Sequence, residues 1–103
     1  MILARVEGSV VSTKKNVKMT GAKFLFVRPL LVDPANLQGF KPGTNTIIVV
    51  DDLGAGEGDV VLVAQGSSAR LGAKDKDTPI DAIVIGIVDT VDVQKHAVYR
   101  SNS

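Results

Sequence analysis

The sequence predicts an all-β protein: a small OB-like, Greek-key β-barrel of five to six strands with one short helical turn. Three observations carry that reading. Val (16) and Ile (7) make up 23 of the 103 residues, a β-branched content that suits a half-buried pleated surface better than a helix. Short apolar or alternating runs are separated by turn residues drawn from ten Gly and four Pro. No stretch keeps helical periodicity over ten or more residues. The length suits one domain and is too short for two, and residues 1–103 read as a single unit without internal repeat.

The elements follow in order. Ile2, Ala4, Val6, Gly8 and Val10 alternate with Leu3, Arg5, Glu7 and Ser9, which is a strand with one polar face. Ser12–Asn16 is a polar break, and Val17–Gly21 is a short return. Lys23–Arg28 is a second strand, expected to stop at Pro29 because proline has no ladder donor. Residues 33–45, rich in Pro, Gly and Asn, read as a long loop. Thr46–Val50 is a third strand, apolar on both faces. Residues 51–58 turn the chain into a fourth strand, Asp59–Ala64. Ser67–Leu71 is one helical turn with Ser67 as N-cap and Gly72 as terminator. Lys74–Asp77 is a charged loop, and Asp81–Asp89 is a fifth, most apolar strand that runs on through Val91 and Val93. Ala97–Tyr99 closes the chain as a short strand. Strands three and five lack a polar face, more than a monomer of this size can bury, so the sequence predicts an oligomer.

Composition excludes several kinds of chemistry. There is no cysteine, hence no disulfide, thiolate metal site, iron–sulfur cluster or cysteine nucleophile, and one histidine cannot build a multi-histidine metal site. Twelve basic residues against eleven acidic leave +1, which gives no support to a nucleic-acid partner. The longest apolar run, Ala82–Val88, is far short of the ~20 residues that span a bilayer. Met1–Arg5 lacks a basic n-region and reads as the start of a strand, with the cytoplasm as the expected compartment.

Each candidate motif has a plain structural reading. Gly54-Ala55-Gly56-Glu57-Gly58 has the look of a phosphate loop, but a strand follows where the dinucleotide fingerprint needs a helix, and the P-loop lysine is missing. It reads as a tight hairpin with residues at positive φ. Asp51, Asp52, Glu57 and Asp59 do not match the calcium-loop spacing and read as solvated turn carboxylates, so no metal is expected. Ser67 or Ser68 as a nucleophile would need a base. His96 sits in the C-terminal tail, and Lys74 and Lys76 lie in the most charged loop, so no catalytic residue and no cofactor are expected. Lys14, Lys15, Lys18 and Lys23, with Phe24, Phe26, Phe40 and Tyr99, leave an alternative, an OB-like module that binds single-stranded nucleic acid on aromatic platforms. Against it, Phe24 and Phe26 share a face that the core is expected to need.

Three segments in sequence, Val50–Gly58, Gly66-Ser67-Ser68-Ala69-Arg70 and Pro79–Asp89, together with the opening strand, Thr13-Lys14 and Gly21–Lys23, resemble the bacterial microcompartment vertex family of the EutN/CcmL type. The resemblance spans nearly the whole chain and departs from the family pattern at 34–43, at 74–77 and at Asp59, where a Glu is commoner. It implies a non-enzymatic β-barrel subunit that forms a homo-pentamer. The ring caps the corners of a polyhedral shell, beside hexameric shell proteins, in the bacterial cytoplasm. Such shells enclose carbon-fixing or catabolic enzymes, and neither membrane nor nucleic acid is a partner. It also implies that Gly66, Ser67, Ser68, Ala69 and Arg70 lie near the ring axis, as pore or subunit-interface residues. Arg70 would then pair with Asp51, Asp52 or Asp81, since guanidinium groups gathered at one radius repel.

Overall fold

The alternating opening becomes β1 (Ile2–Val10), which pairs antiparallel with β2 (Lys23–Asp33) on one side and β5 (Val60–Gln65) on the other. β4 (Ile47–Asp51) lies antiparallel to β2 and parallel to β6 (Ala82–Ile87), and β6 returns antiparallel to β5. The sheet thus closes on itself in the order β1-β5-β6-β4-β2, a five-strand barrel of OB-like, Greek-key connectivity. β3 (Asn36–Pro42) is a sixth strand on β2 outside the barrel, and β7 (Thr90–Val93) with β8 (His96–Arg100) forms a separate two-stranded hairpin. This computed structural model describes residues 1–11, 23–66, 69 and 81–101. The expected return at Val17–Gly21 and the loop at Lys74–Asp77 lie outside the described residues, as does the helical turn apart from Ala69.

The barrel interior is filled by one parity of each strand. Val6, Leu25, Val27, Val49, Val61 and Val63 are each at most 2% exposed and cluster with Ala4, Ala82 and Val84. Side chains of this size suit the narrow bore of a five-strand barrel, and the cluster contains no aromatic residue.

Four sequence expectations change. β2 does not stop at Pro29 but runs to Asp33. In an extended strand a residue's N–H and C=O point to the same edge, and Pro29 C=O accepts from Gly43 N at 2.8 Å. The missing donor therefore faces Gly43 C=O, at the junction where the β4 pairing has ended at Val27 and the β3 pairing starts at Leu30, and Arg28 Nη1 donates to that carbonyl instead at 2.9 Å. Second, the long loop at 33–45 contains β3, which folds back on β2 through a turn at Pro34-Ala35. Asp33 Oδ1 fixes that turn by accepting from Ala35 N at 2.9 Å. An edge strand tolerates the Gly and Pro that made the segment look like a loop.

Third, the fifth strand ends at Ile87. Val88 N donates to the carbonyl of Val60, the first residue of β5, so beyond it no β5 edge remains to pair with. The chain turns away and builds β7–β8 around Gln94 and Lys95, at φ 52° and 63°. Fourth, the glycine-rich segment is no hairpin. β6 lies between β4 and β5, so residues 52–59 cross over the end of the barrel.

Candidate subunit interface

The crossing segment is built as a plug. Ala55 is fully buried and joins the barrel core from above. Asp51, at the end of β4, holds it there: its two carboxylate oxygens accept from Leu53 N and Ala55 N, each at 2.8 Å. Lys23 Nζ donates to Ala55 C=O at 3.1 Å and lies 3.8 Å from Asp51 Oδ2. Gly54 and Gly58, at φ 85° and 91°, supply the backbone that only glycine adopts readily, as the sequence suggested. Gly56 N donates to Asp59 Oδ2, and Gly58 N donates to Val6 C=O, each at 2.8 Å. Of the four expected solvated carboxylates, Asp52 and Glu57 are exposed, whereas Asp51 is 3% exposed and committed to backbone amides. Burial of an acceptor requires such partners, which corrects the solvated reading for Asp51.

The second motif begins with a pin. Gly66, at φ 67°, donates its N–H to Asp81 C=O at 2.7 Å, so the two ends of the 66–81 connection meet at the tip of the β5–β6 pair. Ala69 N donates to Gly66 C=O at 3.1 Å, and Ala69 is fully buried. Ser67, Ser68 and Arg70 lie outside the described residues. Asp81 is exposed. His96 is exposed at the start of β8.

Ala69 rests on the outside of the barrel. Register places Ala64 beside Ile83, Ile83 beside Val50, Val50 beside Phe24, and Phe24 beside Val10. Directly paired residues share a face, so these five form an apolar band across the outer wall. Ala64, Val50 and Ile83 are buried with Ala69 and pack against Phe24. The neighbouring row is uncovered: Phe26, paired with Ile48, is 37% exposed and Ile48 is 45% exposed. Val10, at the band's end, is also exposed. A contiguous apolar surface of this kind on so small a chain marks an interaction site. The expectation that Phe24 and Phe26 belong to the barrel core is thereby corrected. Both parities of residues 23–28 read as apolar, so period alone could not choose the inward one; the bulk of two phenylalanines against the narrow bore could have.

Arg5, Tyr99 and Phe40 stack on another part of the surface. The Arg5 guanidinium lies 5.9 Å from the Tyr99 ring centroid, and the Tyr99 and Phe40 centroids are 5.8 Å apart, which ties the C-terminal hairpin to β1 and β3. Among the described residues no cluster of His, Cys, Asp or Glu could hold a metal ion, and no helix is long and apolar enough to cross a membrane.

Residues 1–89 match the family described as ethanolamine utilisation protein EutN/carboxysome. The chain is 45% identical over 92 residues to the bacterial microcompartment shell vertex protein GrpN of Rhodospirillum rubrum, covering 89% of this chain and 97% of that one. Its fold is similar to that of CcmL from Gloeobacter violaceus, with a TM-score of 0.85 and 39% identity over the full length of both chains. It is also similar to the structure of the GrpN pentameric microcompartment shell protein, with a TM-score of 0.75 and 44% identity, covering 90% of this chain and 100% of that one.

Proposed function

This chain belongs to the EutN/CcmL family, and from that premise we propose that it is a structural vertex subunit: five copies form a ring that closes the corner of a polyhedral microcompartment shell. The observation that carries this reading is the outer apolar band, open at Phe26 and Ile48, on a barrel whose interior is already filled. A surplus apolar wall is stable in water when a neighbouring subunit covers it. The similarity to a pentameric shell protein supports five as the number.

The role is geometric. Six-fold tiles alone extend as flat sheets, and a five-fold tile at each corner forces the curvature that closes them. Residues 1–103 act as one vertex domain, whose ring edge meets hexameric shell proteins in the bacterial cytoplasm. As a structural subunit it carries out no reaction of its own, and Asp51 and Asp59 hold backbone amides of the plug. Gly66, Ser67, Ser68, Ala69 and Arg70 border the axial opening, and Arg70 is held by a carboxylate. Of the three candidates, Asp52 and Asp81 are exposed, whereas Asp51 is buried and engaged.

Native mass spectrometry at micromolar protein tests the ring, with a five-subunit species expected. A stable monomer or dimer would refute it. Deleting the gene, where no second vertex gene compensates, leaves shells elongated or unclosed while the cargo enzymes keep their activity. Closed shells of normal shape in that strain would overturn the corner role.

A further inference from the structure

The β7–β8 hairpin lies beyond residue 89, where the family match ends, and the barrel does not hydrogen-bond it into its sheet. Its base is closed by Ser101 N, which donates to Asp89 C=O at 2.7 Å. The barrel residue that receives it is Arg5. Ala4 and Val6 face the core, so Arg5 between them points out from the wall. Register sets it directly beside Arg28, and like charges so placed repel. Arg28 is taken up by Glu7 Oε2 at 2.9 Å and by Gly43 C=O at 2.9 Å. Arg5 has no carboxylate partner among the described residues. Neutral groups hold its guanidinium instead: the Tyr99 ring, with its centroid 5.9 Å away, and Gly58 C=O, which accepts from Nη1 at 3.3 Å.

That bond to Gly58 is long and exposed, so it depends on where the Arg5 side chain is held. A free arginine samples many rotamers, and stacking on a ring confines it. The Tyr99 ring is itself steadied from β3, its centroid 5.8 Å from that of Phe40. Gly58 is where the plug returns to the barrel: it sits at φ 91°, and its N–H donates to Val6 C=O at 2.8 Å. Asp59 follows, its C=O accepting from Val6 N at 2.9 Å. Val60 comes next, pairs with Arg5 and so faces outward, yet it is fully buried. An outward side chain reaches that burial only under a cover from outside the wall. Contacts therefore run from the hairpin through Arg5 to the end of the plug. We infer that the C-terminal hairpin is a strap: seated on Arg5, it keeps the closing residues of the plug fixed on β1, and lifting it frees them. The strap acts within one subunit and does not depend on the ring.

Amide hydrogen exchange of the full chain reads the strap. Tyr99→Leu keeps an apolar side chain without the ring, and Arg5→Met keeps the stem without the charge. Each is expected to speed exchange of the Gly58 and Asp59 amides about two- to five-fold, with the β5–β6 ladder amides unchanged. Tyr99→Phe, which keeps the ring, is expected to match the unsubstituted protein. The double variant, Tyr99→Leu with Arg5→Met, is expected to be no faster than the faster single one, because both cut the same link. Arg5→Met is also expected to speed exchange in β8, which it loosens from the other side. Faster exchange confined to β7–β8 in Tyr99→Leu would show that the hairpin seats without bearing on the plug, which overturns the strap. An equal rise at the β5–β6 ladder would mean a general loss of stability and overturn it too. Effects that multiply in the double variant, or β8 exchange untouched by Arg5→Met, would place the two side chains in separate contacts and likewise overturn it.

Discussion

Asp51 is the residue on which the barrel end depends. Its side chain satisfies two amides of a segment that must cross an apolar opening, and Ala55, held by one of those amides, closes the core. Asp51→Ala leaves both amides without that acceptor, and a bond from a charged acceptor contributes more than a neutral one. The expected loss is about 2–4 kcal/mol by urea unfolding at a fixed subunit concentration, with Asp51→Asn losing about half as much. The glycines divide by conformation rather than by space. An added Cβ meets nothing within 4 Å at Gly58 or at Gly39, but only Gly58 sits at positive φ. Gly58→Ala is expected to cost about 1–2 kcal/mol and Gly39→Ala to be neutral or stabilising by up to about 1 kcal/mol. Equal unfolding midpoints for the two variants would contradict the conformational account.

At the scale of elements, the β7–β8 hairpin is the piece that the barrel does not hydrogen-bond into its sheet. Its turn places Gln94 and Lys95 in the left-handed region, where an L side chain is strained. Replacing the pair by Asn-Gly is expected to stabilise the hairpin by about 0.5–1 kcal/mol, read as slower amide exchange at β8 with the barrel amides unchanged. This hairpin also marks where sequence reading loses resolution. Thr90–Val93 continues the apolar pattern of β6, and only the end of β5 at Val60 shows that the partner has run out. β3 was hidden for a related reason: its Gly39 and Pro42 look like loop residues until the strand is known to be an edge. The opening alternation, the two-sided apolar β4 and β6, and the positive φ of Gly54 and Gly58 were legible, because period and glycine chemistry are local. The outer band was not, since its five members come from five strands and only register joins them. Asp51 escaped for the same reason, as nothing local announces that a turn will cap a barrel.

For the whole molecule, the barrel and the ring are separable. Ile48 lies outside the core cluster, so Ile48→Glu is expected to leave the far-ultraviolet circular dichroism unchanged while the native mass falls from five subunits to one. Loss of folded signal in this variant would show that the wall supports the subunit itself. The thermal midpoint of the unsubstituted protein is expected to rise with concentration, because assembly stabilises the folded state by mass action. The bond between Gly66 N and Asp81 C=O carries this separation further. It fastens a stem, so beyond Ala69, which packs on the outer wall, the closure depends on those two points meeting rather than on the length of chain between them. Lengthening a connection whose ends are already joined costs only a slowly growing closure entropy, about 0.6 kcal/mol for each doubling. The stem is therefore a grafting site: a foreign peptide inserted after Ala69, whose packing on Ala64, Val50 and Ile83 is kept, would leave the two joined ends in place on every subunit.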